Sequence, residues 1–277
     1  MLQGRLGSLV ASSIVSKALT RSAESLLEQS RTVLAWLGRL SPEEFSTASV
    51  LPGWDVRTLT GHLVLIHAGL SRMLDRPTGS AQVPLPEWVR RYRRDVDQID
   101  ALTSSTAGDH HGTELVSQLA EAVTALEERL LSDEPLPPVL DSPRGATTLL
   151  DFLATRVVEV VVHADDLSRS LPGQPAIVLH RRALSLCSRT LTSVLAGQHP
   201  GRSIEVRIPP FAAVQCGIGD PGPTHTRGTP PNVVETDAVT FLRMATGRST
   251  WAEAVQTGRV AASGLRADLS GALPLLS

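Results

Sequence analysis

The chain has 277 residues, enough for one large domain or two medium ones with a buried core. Its formal net charge of −2 gives no electrostatic basis for binding nucleic acid or an anionic membrane surface. The two cysteines, Cys187 and Cys216, are too few for a disulfide framework or a cysteine-based zinc site. No apolar run is long enough to span a bilayer, so we expect a cytoplasmic protein with no membrane span.

The first half of the chain has the pattern of amphipathic helices. Leucines and valines recur at helical spacing over about 17–40, after a short N-terminal extension. Asp55 is a credible N-cap for a helix whose apolar face covers 59–74. Further amphipathic patterns occupy about 85–102 and 113–132. These segments together predict helices that pack through their apolar faces.

The segment 146–171 allows two interpretations. Its β-branched run Val157–Val162 has the propensity of a buried strand. The flanking residues, 149–154 before the run and 164–171 after it, favour one long buried helix instead. Pro172-Gly173 then stops this helix. We therefore predict a helix here.

With a further helix near 177–197, the predicted helices form an antiparallel bundle over residues 17–198. The character of the chain changes at His199. Alternating patterns after it predict strands near 203–208, 211–218 and 232–235. Helices are then predicted to begin at Asp237 and Thr250, with a final helix near 266–273. Residues 199–277 are therefore predicted to be a small α+β domain.

A stripe of polar side chains interrupts the apolar 146–171 helix. Arg156, Glu159, His163 and Asp166 are three or four residues apart and therefore share one helix face. Because burying an unpaired carboxylate is very costly, this stripe must face water, a partner or an ion. A divalent metal meets that need, and Glu159 and His163, at i and i+4, supply half of its coordination shell.

The other half is predicted to include His62, at the edge of an apolar helix face in the same bundle. A lone histidine in that position is otherwise a satisfied core residue. His67 lies five residues further, about 140° round the helix, and cannot share the ligand direction of His62. Asp166 either orients a ligand histidine or faces solvent near the helix end. Arg156 either pairs with Glu159 or holds a substrate carboxylate.

Two blocks of the N-terminal half carry a family resemblance. The run LPGWDVRTLTGHL, ending at Leu63, and the later pattern Arg156-x-x-Glu159-x-x-x-His163-x-x-Asp166 resemble the mycothiol-dependent maleylpyruvate isomerase family of DinB-like metal-binding helical bundles. The resemblance covers roughly residues 17–171. It implies that His62, Glu159 and His163 are the three ligands of a divalent metal, commonly taken to be zinc.

The C-terminal part is similar to a different family. The segments Thr229–Trp251 and Ala254–Gly264 resemble the bacterial sterol-carrier-like domain, which implies an α+β layer with an apolar groove. The expected fold class is therefore α+β: a DinB-like antiparallel four-helix bundle over 17–198, followed by a small sterol-carrier-like α+β domain over 199–277.

The first resemblance implies an enzyme, a metal- and mycothiol-dependent isomerase or transferase. The metal would lower the pKa of the thiol, and the thiolate would add to a small unsaturated or electrophilic substrate. In this hypothesis Asp166 supports the ligand shell and Arg156 is a candidate for the substrate carboxylate. The alternative is a carrier whose C-terminal domain binds a lipid or sterol-like ligand, with the bundle in a structural or regulatory role.

Overall fold

A computed structural model describes residues 2–219 and 231–276, with side chains described from residue 15 onward. Thr229 and Pro230, at the start of the segment that resembles a sterol-carrier domain, lie outside these residues. The chain divides into two compact units, Met1–Gln82 with Asp97–Ala183 and Val83–Val96 with Leu184–Ser277. In the part of the chain that the structure describes, no helix combines the length and the hydropathy needed to cross a bilayer.

The helices are α1 (Leu2–Leu37), α2 (Pro42–Phe45), α3 (Val56–Leu74), α4 (Leu85–Arg90), α5 (Val96–Ala107), α6 (Gly112–Leu131), α7 (Leu149–Ser170), α8 (Arg181–Gln198), α9 (Ala238–Ala245) and α10 (Trp251–Gln256), with a 3-10 turn at Arg91–Arg94. The strands are β1 (Val139–Leu140), β2 (Thr147–Thr148), β3 (Ile204–Ile208), β4 (Ala212–Cys216), β5 (Val233–Thr236) and β6 (Val260–Ser263).

Four long helices form the core of the first unit. α1 packs against α6 and α7, and α3 packs against the same two helices, so each helix has two neighbours around a shared interior. The apolar faces point inward, and Leu26, Leu59, Leu126 and Val160 are each 0% exposed. Burying one such side chain stabilises the fold by roughly 1.5–3 kcal/mol. The four-helix bundle expected from the sequence is confirmed, whereas α8, which the sequence analysis includes in the bundle, belongs mostly to the second compact unit.

Helix α7 includes the whole β-branched run, which confirms the helix interpretation of this segment. Thr148 caps its start, because the Thr148 hydroxyl accepts a hydrogen bond from the Asp151 amide at 3.0 Å. The helix ends at Ser170, just before Pro172. Almost every residue from Val157 to Val162 is buried, so tertiary packing outweighs the strand propensity of the valines.

Helix α3 begins after Asp55, as the sequence predicts. The Asp55 carboxylate accepts a hydrogen bond from the Thr58 amide at 2.6 Å. The loop before the cap is closed by Trp54, whose carbonyl accepts from the Ser49 amide at 2.8 Å. The start of α3 is therefore well defined, and His62 lies in its second turn.

Two helix boundaries differ from the expectation. The residues expected to be an extension before residue 17 belong to α1, which begins at Leu2. The single amphipathic pattern expected over 85–102 is interrupted, since α4 ends at Arg90 and α5 starts only at Val96. Within this segment the rings of Trp88 and Tyr92 are in edge contact, with centroids 5.6 Å apart.

The second unit is α+β, as expected. Its four-stranded sheet has the order β4-β3-β5-β6, with β3 parallel to β5 and the other neighbours antiparallel. Along β3 the residues Ile204, Val206 and Ile208 are buried, and the two between them are partly exposed. This alternation is that of a strand with one face on the core.

The prediction of a final helix near 266–273 is wrong, because this segment consists of turns. Gly264 has φ +103 and lies so close to the Pro231 carbonyl that a Cβ atom would be 2.2 Å from its oxygen. The Asn232 side chain then accepts a hydrogen bond from the Arg266 amide at 2.9 Å. Together these contacts hold the segment against the strand β5, in a path that a regular helix would not follow.

Candidate metal centre

The structure brings together three residues that the sequence predicts as metal ligands. His62 on α3 and Glu159 and His163 on α7 each offer one ligand atom, and these atoms all lie within 4.8 Å of one another. The Glu159 Oε2 atom is 3.4 Å from His163 Nε2 and 3.7 Å from His62 Nε2. Both imidazoles therefore direct the same ring nitrogen towards one carboxylate oxygen.

These separations are long for direct hydrogen bonds, which join N and O at about 2.7–3.2 Å. They suit atoms that share an ion instead. Ligand bonds of about 2.0–2.1 Å in tetrahedral geometry place neighbouring ligand atoms about 3.3 Å apart. The two imidazole rings are 4.8 Å apart at 82°, so neither ring obstructs the other. The donor set of two nitrogens and one carboxylate oxygen fits a divalent transition metal.

The ligand residues are largely removed from solvent. His62 is 7% and His163 4% exposed. Burial raises the pKa of Glu159, but the contacts with His163 and His62 and the charge of Arg156 outweigh it, so the pKa lies well below its usual value. Burial lowers the pKa of His62. At neutral pH the Glu159 carboxylate is therefore ionised and His62 is neutral, which are the states in which these groups bind metals.

Asp166 is completely buried behind His163. Its Oδ2 atom is 3.1 Å from His163 Nδ1, and its Oδ1 atom is 3.7 Å from Arg169 Nη1. The carboxylate accepts the proton on His163 Nδ1, which leaves Nε2 with its lone pair towards Glu159. This contact matches the orienting role that the sequence suggests, and the solvent-facing position does not occur.

Thr103 has the corresponding position behind His62, and sequence reasoning missed it. Its Oγ1 atom is 3.0 Å from His62 Nδ1, and Thr103 is 0% exposed. Trp54 was likewise missed as a neighbour of the site, although it lies in the family-like block; its ring centroid is 5.1 Å from that of His62. Only Glu159 and His163, in a Glu-x-x-x-His pattern, had a spacing signal, since Thr103 is 41 residues from His62.

Arg156, the other predicted site residue, lies beside the cluster on α7. Its Nη2 atom is 3.6 Å from Glu159 Oε1, and its guanidinium lies 5.0 Å from the centre of the Phe152 ring. The ion pair with Glu159 is therefore present. A contact of Arg156 with a substrate carboxylate stays a prediction.

His67 and His180 lie outside the cluster. His67 Nδ1 is 2.7 Å from the Leu63 carbonyl. His180 is between Thr32, whose hydroxyl is 2.7 Å from Nε2, and Glu28, whose carboxylate is 3.3 Å from Nδ1. In the described part of the chain, the three-residue cluster of His62, Glu159 and His163 is the group with the spacing of a metal site.

Comparison with protein families identifies two regions. Residues 26–168 match the family described as the mycothiol maleylpyruvate isomerase N-terminal domain, and residues 180–275 match the family described as bacterial SCP ortholog. The first match includes all three clustered residues and covers more than half of the chain. Comparison with curated proteins gives no match.

Two solved structures are similar to the chain. A crystal structure of the mycothiol-dependent maleylpyruvate isomerase is 17% identical, covers 89% of this chain and 92% of that one, and has a TM-score of 0.54. The structure of a histidine-to-alanine mutant of that isomerase has the same identity and coverage, with a TM-score of 0.53. At this identity the likeness concerns the fold.

Proposed function

The chain belongs to the mycothiol maleylpyruvate isomerase N-terminal domain family, and from this premise we propose that it is a metal- and mycothiol-dependent enzyme. The single observation that supports this most is the convergence of His62 Nε2 and His163 Nε2 on one oxygen of Glu159. The proposed reaction is an isomerisation, or a thiol transfer, on a small unsaturated or electrophilic substrate.

His62, Glu159 and His163 would hold a divalent ion, with zinc as the proposed metal. Such an ion, when bound, lowers the pKa of a coordinated thiol or water so that the anion exists at neutral pH. Three protein ligands leave at least one position for that group, as in catalytic sites. The burial of the two histidines keeps competing water away from the reacting groups.

The surrounding residues have separate tasks in this proposal. Asp166 keeps the proton of His163 on Nδ1, so that the lone pair of Nε2 remains available to bind the ion. Arg156 neutralises part of the Glu159 charge, and its planar guanidinium would bind a substrate carboxylate. Such a contact would hold an unsaturated acid with its double bond near the thiol.

For an isomerase the electron count balances without a redox partner. The bound thiol would supply a thiolate that adds reversibly to one carbon of the activated double bond, with the electron pair taken up by the conjugated carbonyl oxygen. Rotation about the resulting single bond and loss of the thiolate would then give the trans product. For a transferase the C–S bond would be retained and the adduct would take up a proton.

The SCP-like part of the chain carries the alternative, a lipid or sterol-like ligand. The family match over residues 180–275 is the observation behind this candidate. Uptake of a fluorescent fatty acid by metal-free protein, at the same affinity in the wild type and in His163→Ala, would support it. The proposed cytoplasmic location fits either function.

Metal analysis tests the enzyme proposal. The full chain is purified without chelator, and the bound metals are measured by mass spectrometry for the wild type, His163→Ala and His180→Ala. We expect about one divalent ion per chain in the wild type and in His180→Ala, and little in His163→Ala. The same proteins are then assayed with a cis-unsaturated keto acid, with and without mycothiol. Wild-type protein that takes up no metal, or His163→Ala with full metal and activity, would contradict the proposal.

A further inference from the structure

Helix α5 packs beside the predicted metal ligand His62 and buries only a small part of its own surface. Among its residues only Thr103 and Ala107 are buried. Asp100, Thr103 and Ala107 are three and four residues apart, so they share one face of the helix. Each of the three contacts the region around His62. An exposed helix that buries so little apolar area gains little stability from its own packing.

The closest approach is at Gly61, the residue before His62. A Cβ atom at Gly61 would be 3.1 Å from both the Cβ and the amide nitrogen of Ala107. The absence of a side chain at Gly61 therefore lets α5 approach α3 without a shift of Ala107. Arg57, one turn earlier on α3, donates to the Gly108 carbonyl at 2.7 Å, just beyond the end of α5. The end of α5 is thus held next to the metal ligand.

Thr103 lies at hydrogen-bond distance from Nδ1 of His62, the ring nitrogen that is not directed at Glu159. Its hydroxyl oxygen is 3.0 Å from Nδ1 and accepts the hydrogen bond when Nδ1 is protonated. Nε2 is then the unprotonated nitrogen, and it is the one directed at Glu159. This contact restricts rotation of the His62 side chain about its Cα–Cβ and Cβ–Cγ bonds.

Trp54 restricts the ring of His62 from another direction. Its indole is 5.1 Å from the imidazole centre at an angle of 52°. The indole is held in turn by Asp100, whose carboxylate accepts the Nε1 proton at 2.7 Å. α5 therefore acts on His62 twice, directly through Thr103 and indirectly through Asp100 and Trp54.

The geometry points to α5 as the element that positions His62 for metal binding, with Thr103 and the Asp100–Trp54 pair as positioning residues. This inference rests on the proposed metal site. It goes beyond that site by assigning a role to a helix outside the four-helix core. Because a residue that orients a ligand histidine typically contributes 10- to 100-fold in metal affinity, the contribution is measurable without any enzymatic assay.

The first experiment compares two buried threonines. Thr103→Val removes the hydroxyl that accepts from His62 and keeps the shape of the side chain. The matched control is Thr60→Val, since Thr60 is also 0% exposed but bonds only the Val56 carbonyl of its own helix. Zinc affinity is measured for the full chain by competition with a chromophoric chelator. We expect affinity about 10- to 100-fold weaker for Thr103→Val, unchanged affinity for Thr60→Val, and recovery in Thr103→Ser.

The second experiment uses Trp54 as an optical reporter. A paramagnetic Co²⁺ ion bound by His62 should quench the fluorescence of an indole this close, and Trp54→Phe should abolish most of that quenching. Asp100→Ala releases the indole, and we expect less quenching and weaker Co²⁺ binding. Asp97→Ala removes another exposed carboxylate of α5 and should change neither quantity.

The outcomes separate the two proposals. Wild-type protein without zinc or Co²⁺ affinity would overturn the metal site and this inference together. Wild-type binding with Thr103→Val within twofold of it would overturn the positioning role alone, as would equal losses in Thr103→Val and Thr60→Val. Thermal unfolding of the metal-free variants shows whether they fold. If Thr103→Val does not, Thr103→Ser and Asp100→Ala decide the question.

Discussion

Lowering the pH should destabilise the bundle through His67, a buried histidine that lies outside the cluster of His62, Glu159 and His163. His67 is 1% exposed, its Nδ1 proton is donated to the Leu63 carbonyl at 2.7 Å, and its Nε2 atom is 2.8 Å from the Ser30 hydroxyl. The carbonyl can only accept, so Nδ1 carries the proton and Nε2 of the neutral ring is an acceptor. The single Ser30 hydroxyl proton then lies between two acceptors, His67 Nε2 and the Leu26 carbonyl at 2.8 Å. Burial lowers the pKa of His67 from 6.5 to about 4, and the charge of Arg156 acts in the same direction.

The size of the effect follows from this difference in pKa. Between pH 6.5 and pH 4 the His67 imidazole binds a proton in the unfolded chain but not in the folded chain. The free energy of unfolding therefore falls as the pH falls. Above pH 6.5 the ring is neutral in both states and has no effect. Each pKa unit corresponds to about 1.4 kcal/mol, and the expected loss is about 2 kcal/mol between pH 7.5 and pH 5.

The assay is urea unfolding with chelator present, at several pH values between 7.5 and 5, for the wild type and His67→Gln. Other titrating groups contribute equally to both proteins, so the difference between the two free energies isolates His67. We expect the wild type to lose about 2 kcal/mol relative to His67→Gln over this range, and zinc affinity at pH 7.5 to be similar in the two proteins. A difference that stays constant with pH would refute the assignment of a neutral, buried imidazole.

Three further predictions concern separate features of the two units. Asp166→Asn should weaken zinc binding by about 10- to 100-fold, whereas Asp165→Asn, at the neighbouring position of α7, should not; chelator competition measures both. Gly61→Ala forces a Cβ atom into α5 at 3.1 Å and should cost about 1–3 kcal/mol of unfolding free energy in urea. At Gly69, on the same helix, a Cβ atom would be 3.9 Å from Arg72 Nη2, an ordinary van der Waals contact, so Gly69→Ala should be neutral or stabilising by up to about 1 kcal/mol. Asp237→Ala removes the cap of α9 and should cost about 1 kcal/mol by the same measurement, with the loss confined to the α+β unit.

The architecture was predictable where local chemistry and burial agree. Asp55 has the side chain of an N-cap and is followed by a regular apolar face, so the start of α3 was predicted correctly. In α7 local propensity and burial conflict, since the valines prefer strands, and the residues that flank the valine run favoured a helix. Glu159 and His163 could then be placed on one face by helix geometry alone.

The contacts that complete the site were not predictable for a different reason. α5 buries only Thr103 and Ala107, whereas Val96 and Leu102, which belong to the apolar pattern expected over 85–102, are exposed. The apolar pattern therefore indicates the wrong face of α5, and the start of the helix at Val96 was missed. Thr103 is 41 residues from His62 in the sequence, and the two side chains come into contact only in the folded chain. The turns after Gly264 were missed because the amide of Arg266 bonds to Asn232, a partner 34 residues away. Local pattern carries no information about such pairings.

The charges around the cluster suggest why an anionic ligand would be favoured at the open position. The carboxylates of Glu159 and Asp166 are each accompanied by a guanidinium, from Arg156 and Arg169 respectively. Neutral imidazoles bind metals without adding charge. Asp165 also lies 3.8 Å from Arg169, so three carboxylates and two guanidinium groups sum to one negative charge. A bound dication would therefore keep a net positive charge in a site that is largely closed to water. In such surroundings the electrostatic gain from binding a thiolate instead of a thiol is larger than in water. Replacing either arginine by a neutral residue would leave a carboxylate to compensate the ion and would reduce that preference, which connects the buried ion pairs of α7 to the proposed thiol chemistry.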